Sequence, residues 1–265
     1  MPELNQGPKL LSLDFDGTIA LTSEGDESIK TVNDAYADAI DDMFGGSATE
    51  HFVAQGGHNH RTPAEIVSDL MPDASIEEIN NFANQLKQSK LEILMAQIGK
   101  ILTNGSVWPR LTNMFPETWS EIYDSRTVDN TVNTAIISAG HKSFIDKTLD
   151  VHGLPHADIT ITDEILVDLG FGNLSPELRA KPSTLSLDQA IFIWKNRNSL
   201  HETREDDLRK RILHVGDDME KDRLFAIRSR VGFQLLTPED SPRSWSYVRA
   251  WADLGKVSLL RAGNE

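Results

Sequence analysis

The sequence predicts an α/β protein in which a parallel sheet is interrupted by a block of helices. Three observations carry this. First, short apolar runs at Leu10–Leu13, Thr134–Ser138, Ile159–Thr162, Arg211–Val215 and Val231–Leu236 are separated by segments of helical periodicity, and strands alternating with helices imply parallel pairing with right-handed crossovers. Second, Ser23 to Gly99 shows helical periodicity with almost no strand signal. That is far longer than an ordinary loop, so a helical domain over 21–103 is expected to be inserted into an α/β core made of 1–20 and 104–265. Third, several of the apolar runs end in groups capable of chemistry, where open α/β sheets bind ligands.

Composition sets the bounds. At 265 residues, with 39% hydrophobic and 25% charged residues, the chain has ordinary globular content. A net charge of −15 argues against nonspecific binding to nucleic acid or to an anionic membrane. It also means that an anionic substrate needs local positive charge, from a metal or from selected Lys and Arg. There is no cysteine, which excludes disulfides, thiolate catalysis and Cys-ligated zinc. Met1 to Lys9 is polar and does not read as a secretory signal, and no run approaches transmembrane length. A cytoplasmic monomer or small homo-oligomer, binding neither nucleic acid nor membrane, is expected.

Taken in order, Leu10–Leu13 reads as a buried strand stopping at Asp14. Ile29, Val32, Tyr36, Ile40 and Met43 recur at helical steps, and Gly45-Gly46 ends that run. Gln55 to Arg61 is a polar loop. Thr62-Pro63-Ala64-Glu65 and Ser75-Ile76-Glu77-Glu78 are capping boxes that open two further helices, the second running through Leu94 and Ile98 to Gly99. Asn104 to Pro109 reads as a linker and Pro116 to Tyr123 as a short helix. After the strand at Thr134–Ser138, a helix carries Phe144, Ile145 and Leu149, and the third strand follows at Ile159. Gly170 to Pro182 is a polar loop with a helical turn near Ser175, and a helix runs from about Leu185 to Lys195. The fourth strand leads into Gly216-Asp217-Asp218, a helix through Leu224 and Ile227 follows, and the fifth strand precedes a tail whose Trp245, Val248 and Trp251 sit at helical steps.

The organising stretch is Asp14-Phe15-Asp16-Gly17-Thr18. Residues two apart on an extended chain face the same way, so both carboxylates address one spot beyond the strand. Like charges so placed need a cation between them, or one keeps its proton. Further along lie Ser138, Lys181 in Ala180-Lys181-Pro182, and Gly216-Asp217-Asp218-Met219-Glu220-Lys221-Asp222. Alone, Ser138 reads as a helix cap, Lys181 as a solvated lysine, and the last three aspartates as acids at a helix start. Together and in this order, the set resembles the four motifs of the haloacid dehalogenase (HAD) superfamily: DxDGT, a Ser or Thr ending a strand, a Lys, and GDxxxxD. The resemblance covers Lys9 to about Gln234.

The resemblance implies a Rossmann-like parallel-sheet core with an inserted helical cap, and a Mg²⁺-dependent phosphoric monoester hydrolase that works on a small phosphorylated metabolite through an aspartyl phosphate. It implies Asp14 as nucleophile and Asp16 as proton donor and acceptor, with the backbone carbonyl of Asp16 also on the metal. Ser138, with the amides of Ala139 and Gly140, and Lys181 would hold the phosphoryl group. Asp217 would ligate the metal. Asp218 is either a metal ligand or a lysine partner, and Asp222 either joins the ligand set of Asp14, Asp16, Asp217 and Asp218 or orients it. Within the cap, Gly57 to Arg61 is the loop expected to read the substrate, with Arg61 its binding group. His58-Asn59-His60 on that loop and Arg209-Lys210-Arg211 both read as solvated. Asp16 argues against the superfamily's dehalogenases and phosphonate hydrolases, which typically lack an acid there. A phosphosugar mutase shares the same motifs and cap and is the alternative. A non-catalytic phosphometabolite-binding protein predicts damaged motifs, and none is damaged.

Overall fold

A computed structural model of the chain describes residues 7–26, 29–58, 61–126, 131–237 and 241–252. It contains two compact units, Thr22–Arg110 and the chain on either side of it.

The outer segments form the α/β unit. Strands β1 (Lys9–Leu13), β2 (Val132–Ile137), β3 (Ile159–Ile161), β4 (Ile212–Gly216) and β5 (Gly232–Leu235) make one parallel sheet in the spatial order β3-β2-β1-β4-β5. All five residues of β1 are buried, because it is the central strand. A strand covered on both faces has to be a continuous apolar run, which accounts for Leu10, Leu11 and Leu13. Its register sets Ser12 between Ala135 of β2 and His214 of β4. The chain builds outward from β1 through β2 and β3, then crosses back to lay β4 on the other side. That reversal at the carboxyl ends of the strands is the kind of crevice in which open α/β sheets bind ligands.

Helix Leu185–Arg197 buries Leu187, Ala190, Ile191 and Trp194 against Leu10, Ala135, Ile137, Ile159 and Ile161. A separate aromatic group joins helices Phe115–Asp124 and Ser241–Ala252: the ring of Phe115 lies 5.2 Å from that of Trp119 and 5.5 Å from that of Trp245. Trp245 and Val248 are fully buried, as the tail periodicity implies, while Trp251 is half-buried. One local expectation is corrected. In helix Asp222–Arg228 the inward residues are Phe225 and Ala226, whereas Leu224 and Ile227 face outward. The stretch after β3 coils at once, as an α-turn at Asp163–Leu166 capped by Thr162 and a π-turn at Val167–Phe171.

The Thr22–Arg110 unit contains helices Val32–Phe44, Gly46–Ala54, Pro63–Leu70 and Ile76–Met95. Thr31 with Asp34, Thr62 with Glu65, and Ser75 with Glu78 form reciprocal capping boxes, each satisfying backbone donors that a helix start leaves unpaired. The helices share a core of Tyr36, Ala39, Ile40, Phe52, Ile66, Val67, Ala83 and Leu86. Gly45-Gly46 does end one helix, but Gly45, at φ 83°, is also the cap of the next. The long helix stops at Met95, short of Ile98. Just beyond, the side chain of Gln97 accepts from the amide of Lys30 at 2.5 Å and donates to the carbonyl of Ile93 at 3.2 Å. The Asn104–Pro109 stretch is not a bare linker: Trp108 is fully buried and its Nε1 donates to the carbonyl of Glu24 at 2.9 Å.

Candidate active site

Past β1 the amide of Asp14 donates to the carbonyl of Val215 at 2.9 Å, so the ladder with β4 carries one residue further and fixes Asp14 at the strand's carboxyl end. Phe15 turns inward, fully buried and edge-on to Phe144. The chain then reverses, with Ile19 donating to the carbonyl of Phe15 at 2.8 Å, and Asp16 stands exposed at the start of that turn. Gly17 has φ 77°, and a Cβ there would lie 2.1 Å from Oδ2 of Asp217. Both conformation and space therefore demand glycine. Thr18, fully buried, donates to Oδ1 of Asp217 at 3.3 Å. Gly216 is constrained by space alone, since a Cβ there would lie 2.3 Å from the carboxyl carbon of Asp222.

Lys181 follows the short helix Pro176–Arg179 and is brought inward with little exposure. Its Nζ donates to Oδ1 of Asp14, and to Oδ1 of Asp222 at 2.5 Å. Asp222 is almost completely buried, and its Oδ2 accepts from the amide of Asp218 at 3.1 Å. Oxygens of Asp14, Asp217 and Asp222 lie within 4.8 Å of one another, the one such acidic cluster among the described residues.

Electrostatics show what this arrangement lacks. Burial alone would discharge Lys181, but the charges of Asp14 and Asp222 outweigh it and hold the ammonium well above its usual range. Burial opposes ionisation of Asp222 too, and there the charge of Lys181 and the hydrogen bond from His214 prevail and keep the carboxyl low. Asp14 is the reverse: burial, helped by the charges of Asp222 and Asp16, pushes it up to about 8 despite Lys181. Asp217 is raised by burial and by Asp222. One ammonium thus faces three carboxylates and fully satisfies one. A hard divalent cation beside Asp14 and Asp217 would supply the missing charge, and the oxygen donors of the two carboxylates fit such an ion.

The remaining sequence-predicted residues fall as follows. Ser138, buried at the end of β2, accepts from the amide of Gly140 at 3.0 Å. Its hydroxyl proton takes no part in that bond, and the Gly140 amide is already engaged. Ala139 is exposed beside it. At the start of helix Lys142–Val151 the amide of Lys142 is taken by Glu164 at 2.7 Å, so that helix start already carries a carboxylate. Oδ1 of Asp218 accepts from the amides of Glu220 and Lys221 at 2.7 and 2.8 Å, capping the turn outside the acidic cluster. Asp16 also lies outside that cluster. In the other unit, Arg61 pairs with Asp69 and reaches the carbonyl of Gly57 at 3.5 Å. His58 bonds Asn33 at 2.6 Å and stacks on Tyr36, so it is structural rather than solvated. Asn59 and His60 lie outside the described residues.

Sequence reading missed Thr18 as a support and missed the pair Ser12 and His214, both fully buried. Oγ of Ser12 lies 3.0 Å from Nδ1 of His214, and Nε2 of His214 lies 3.3 Å from Oδ1 of Asp222. A signal was present: each is a single polar residue inside an apolar strand run, two positions before a motif residue.

Comparison with solved structures places this architecture. The chain matches a candidate phosphoglycolate phosphatase from Lactobacillus delbrueckii subsp. bulgaricus over 91% of its length and 97% of that chain, at 11% identity and a TM-score of 0.51. It also matches a HAD-superfamily hydrolase from Geobacter sulfurreducens over 89% and 90% of the two chains (16% identity, TM-score 0.46). A candidate HAD-hydrolase from Bacillus subtilis, in a structure bound to magnesium, matches over 86% and 88% (15% identity, TM-score 0.45). No family model and no curated protein sequence matches the chain. The fold is that of the HAD-superfamily hydrolases. Among the described residues no helix is long and apolar enough to cross a membrane.

Proposed function

We propose that this chain is a Mg²⁺-dependent phosphatase that hydrolyses a small phosphorylated metabolite through a phosphoryl group carried on Asp14. The observation that supports it best is the meeting of Asp14, Lys181, Asp217 and Asp222, contributed by three separate parts of the chain. Asp14 and Asp217, with the backbone carbonyl of Asp16, are the groups we assign to the metal. The bound ion would offset charge on the phosphoryl oxygens.

The steps fall to the chain's own groups. Lys181 holds Oδ1 of Asp14 and fixes the carboxylate while contributing positive charge. The other oxygen of Asp14 attacks phosphorus and the P–O bond to the leaving group breaks. Asp16, exposed and beside the nucleophile, gives its proton to the departing oxygen. Water then attacks the phosphorus, Asp16 takes a proton from it, and the aspartyl bond breaks to free Asp14 and phosphate. Ser138 donates its hydroxyl proton to a phosphoryl oxygen. Asp222 holds Lys181 in place, and Asp218 shapes the turn that presents Asp217. We assign the Thr22–Arg110 unit the role of cap, with Arg61 as a substrate-reading group.

The test is release of inorganic phosphate from p-nitrophenyl phosphate and from a panel of phosphometabolites, with Mg²⁺ and with chelator, by wild type and Asp14→Asn. Mg²⁺-dependent phosphate release lost in D14N supports the reading. Isomer interconversion of a sugar phosphate without phosphate release would make the chain a mutase, and turnover unaffected by D14N would overturn the assignment of Asp14.

A further inference from the structure

A fully buried histidine in the middle of a sheet needs a reason. Burying an imidazole is costly unless both nitrogens are satisfied, and an aliphatic side chain would fill β4 without that cost. The side-chain partners of His214 are Ser12 across the strand pair and Asp222. Ser12 and His214 are register neighbours on β1 and β4, so the sheet itself fixes their approach. The ring is held between Phe225, at 4.9 Å and 69°, and Phe233, at 6.4 Å.

The proton positions follow from the chemistry of the partners. An ionised carboxylate only accepts, so Nε2 carries the hydrogen that faces Asp222. A neutral imidazole then offers Nδ1 as acceptor, and the hydroxyl of Ser12 is the donor to it. From the geometry we infer that Ser12 and His214 are positioning residues: a one-directional chain from the Ser12 hydroxyl through the His214 ring to Oδ1 of Asp222 fixes the carboxylate that seats Lys181 against Asp14. This rests on the phosphatase reading for its effect on turnover, but not for its proton arrangement. Lys181 and His214 converge on the same oxygen of Asp222, and the amide of Asp218 holds the other. Asp222 is thereby fixed at both oxygens, and the flexible lysine takes its place from it. Supporting groups of this kind typically change activity without touching substrate.

The test uses the full-length chain labelled with ¹⁵N-histidine. Long-range ¹H–¹⁵N correlation spectra, with His214 assigned by its loss in H214Q, are expected to show the neutral Nε2–H tautomer, and S12A is expected to keep it while the Nδ1 resonance shifts as its donor is lost. In steady-state hydrolysis of p-nitrophenyl phosphate, S12A and H214N are expected to lower kcat on the order of 10–100-fold with little change in KM. H214Q, whose amide nitrogen can stand where Nε2 stood, is expected to recover most of the rate. An Nδ1–H tautomer overturns the proposal, as does unchanged kcat in S12A. Equal losses in folded H214N and H214Q would reduce His214 to a packing role and overturn it too. Should H214Q fail to fold, the wild-type tautomer, assigned by its loss in H214N, and the S12A rate decide. Failure of wild type to hydrolyse any phosphate ester would instead remove the phosphatase reading, while the tautomer spectrum would still decide the chain.

Discussion

The chain buries a lysine at each end of β1, and the two are held in opposite ways. Lys9 opens the strand. Its ammonium donates to the carbonyl of Trp251 at 2.6 Å and lies 4.8 Å from the centre of that residue's ring, and burial lowers its pKa to about 8. Lys181 meets Asp14 just beyond the strand's other end, and there two carboxylates hold the ammonium charged against the same burial. Burial is common to both. What differs is the company: a carbonyl and an aromatic face at one end, a group of acids at the other. A fixed, charged amine beside a carboxylate that burial drives toward its neutral form is an arrangement with chemical potential. A lysine under a helix end is an arrangement for docking that helix.

The sharpest way to break this comparison is to exchange the fates of the two lysines. Lys181→Met and Asp14→Asn are both expected to reduce hydrolysis to background, whereas Lys9→Met is expected to leave kcat close to wild type. Measured rates that fall equally in K9M and K181M would remove the distinction. Next in size, Asp16→Asn is expected to lower kcat by about 10²–10⁴-fold, the usual worth of a positioned acid–base group. A substrate with a leaving group that needs no proton should shrink that loss.

Metal affinity sharpens the account of the acidic end. Without a cation, Asp14 is raised to about 8 and Asp217 is raised as well. Ligands must be deprotonated to bind a metal, so protons compete with Mg²⁺ below that value. Calorimetry is expected to show affinity rising from mildly acidic pH to about 8 and levelling beyond, with proton release on binding. Affinity that is flat with pH would contradict the placement of the ion beside Asp14.

The smallest effect belongs to Lys9. Its pKa is lowered on folding, so the folded state releases its proton before the unfolded chain does. Stability from this group therefore rises with pH, from about 8 toward the ordinary lysine value of 10.5. Denaturant titrations of wild type and K9M are expected to show wild type gaining on the variant across that window, and parallel curves would refute the assignment.

Much of this was legible because its signals are local. The apolar run before Asp14, the capping boxes at Thr62 and Ser75, and the carboxylates after Gly216 each announce themselves within a few residues. Their convergence could be read only as an order along the chain, since Lys181 and Asp14 lie 167 residues apart. What escaped depends on register. Ser12 and His214 acquire meaning only when β1 and β4 pair at those positions, and no short-range pattern states that pairing. Glycine misled once, at Gly45, where a stop for one helix is also the start of the next. The amides after Ser138 look open in sequence because nothing nearby shows that Glu164 arrives to occupy one of them.

The central claim is that Asp14 carries phosphorus during turnover. Full-length wild type would be mixed with Mg²⁺ and its best phosphate ester, quenched rapidly, treated with borohydride and digested for mass spectrometry. An acyl phosphate at Asp14 would be reduced to homoserine at that position alone, and the signal should vanish in samples without substrate. Sustained hydrolysis with an unmodified Asp14, or with the reduction at another aspartate, would contradict the account.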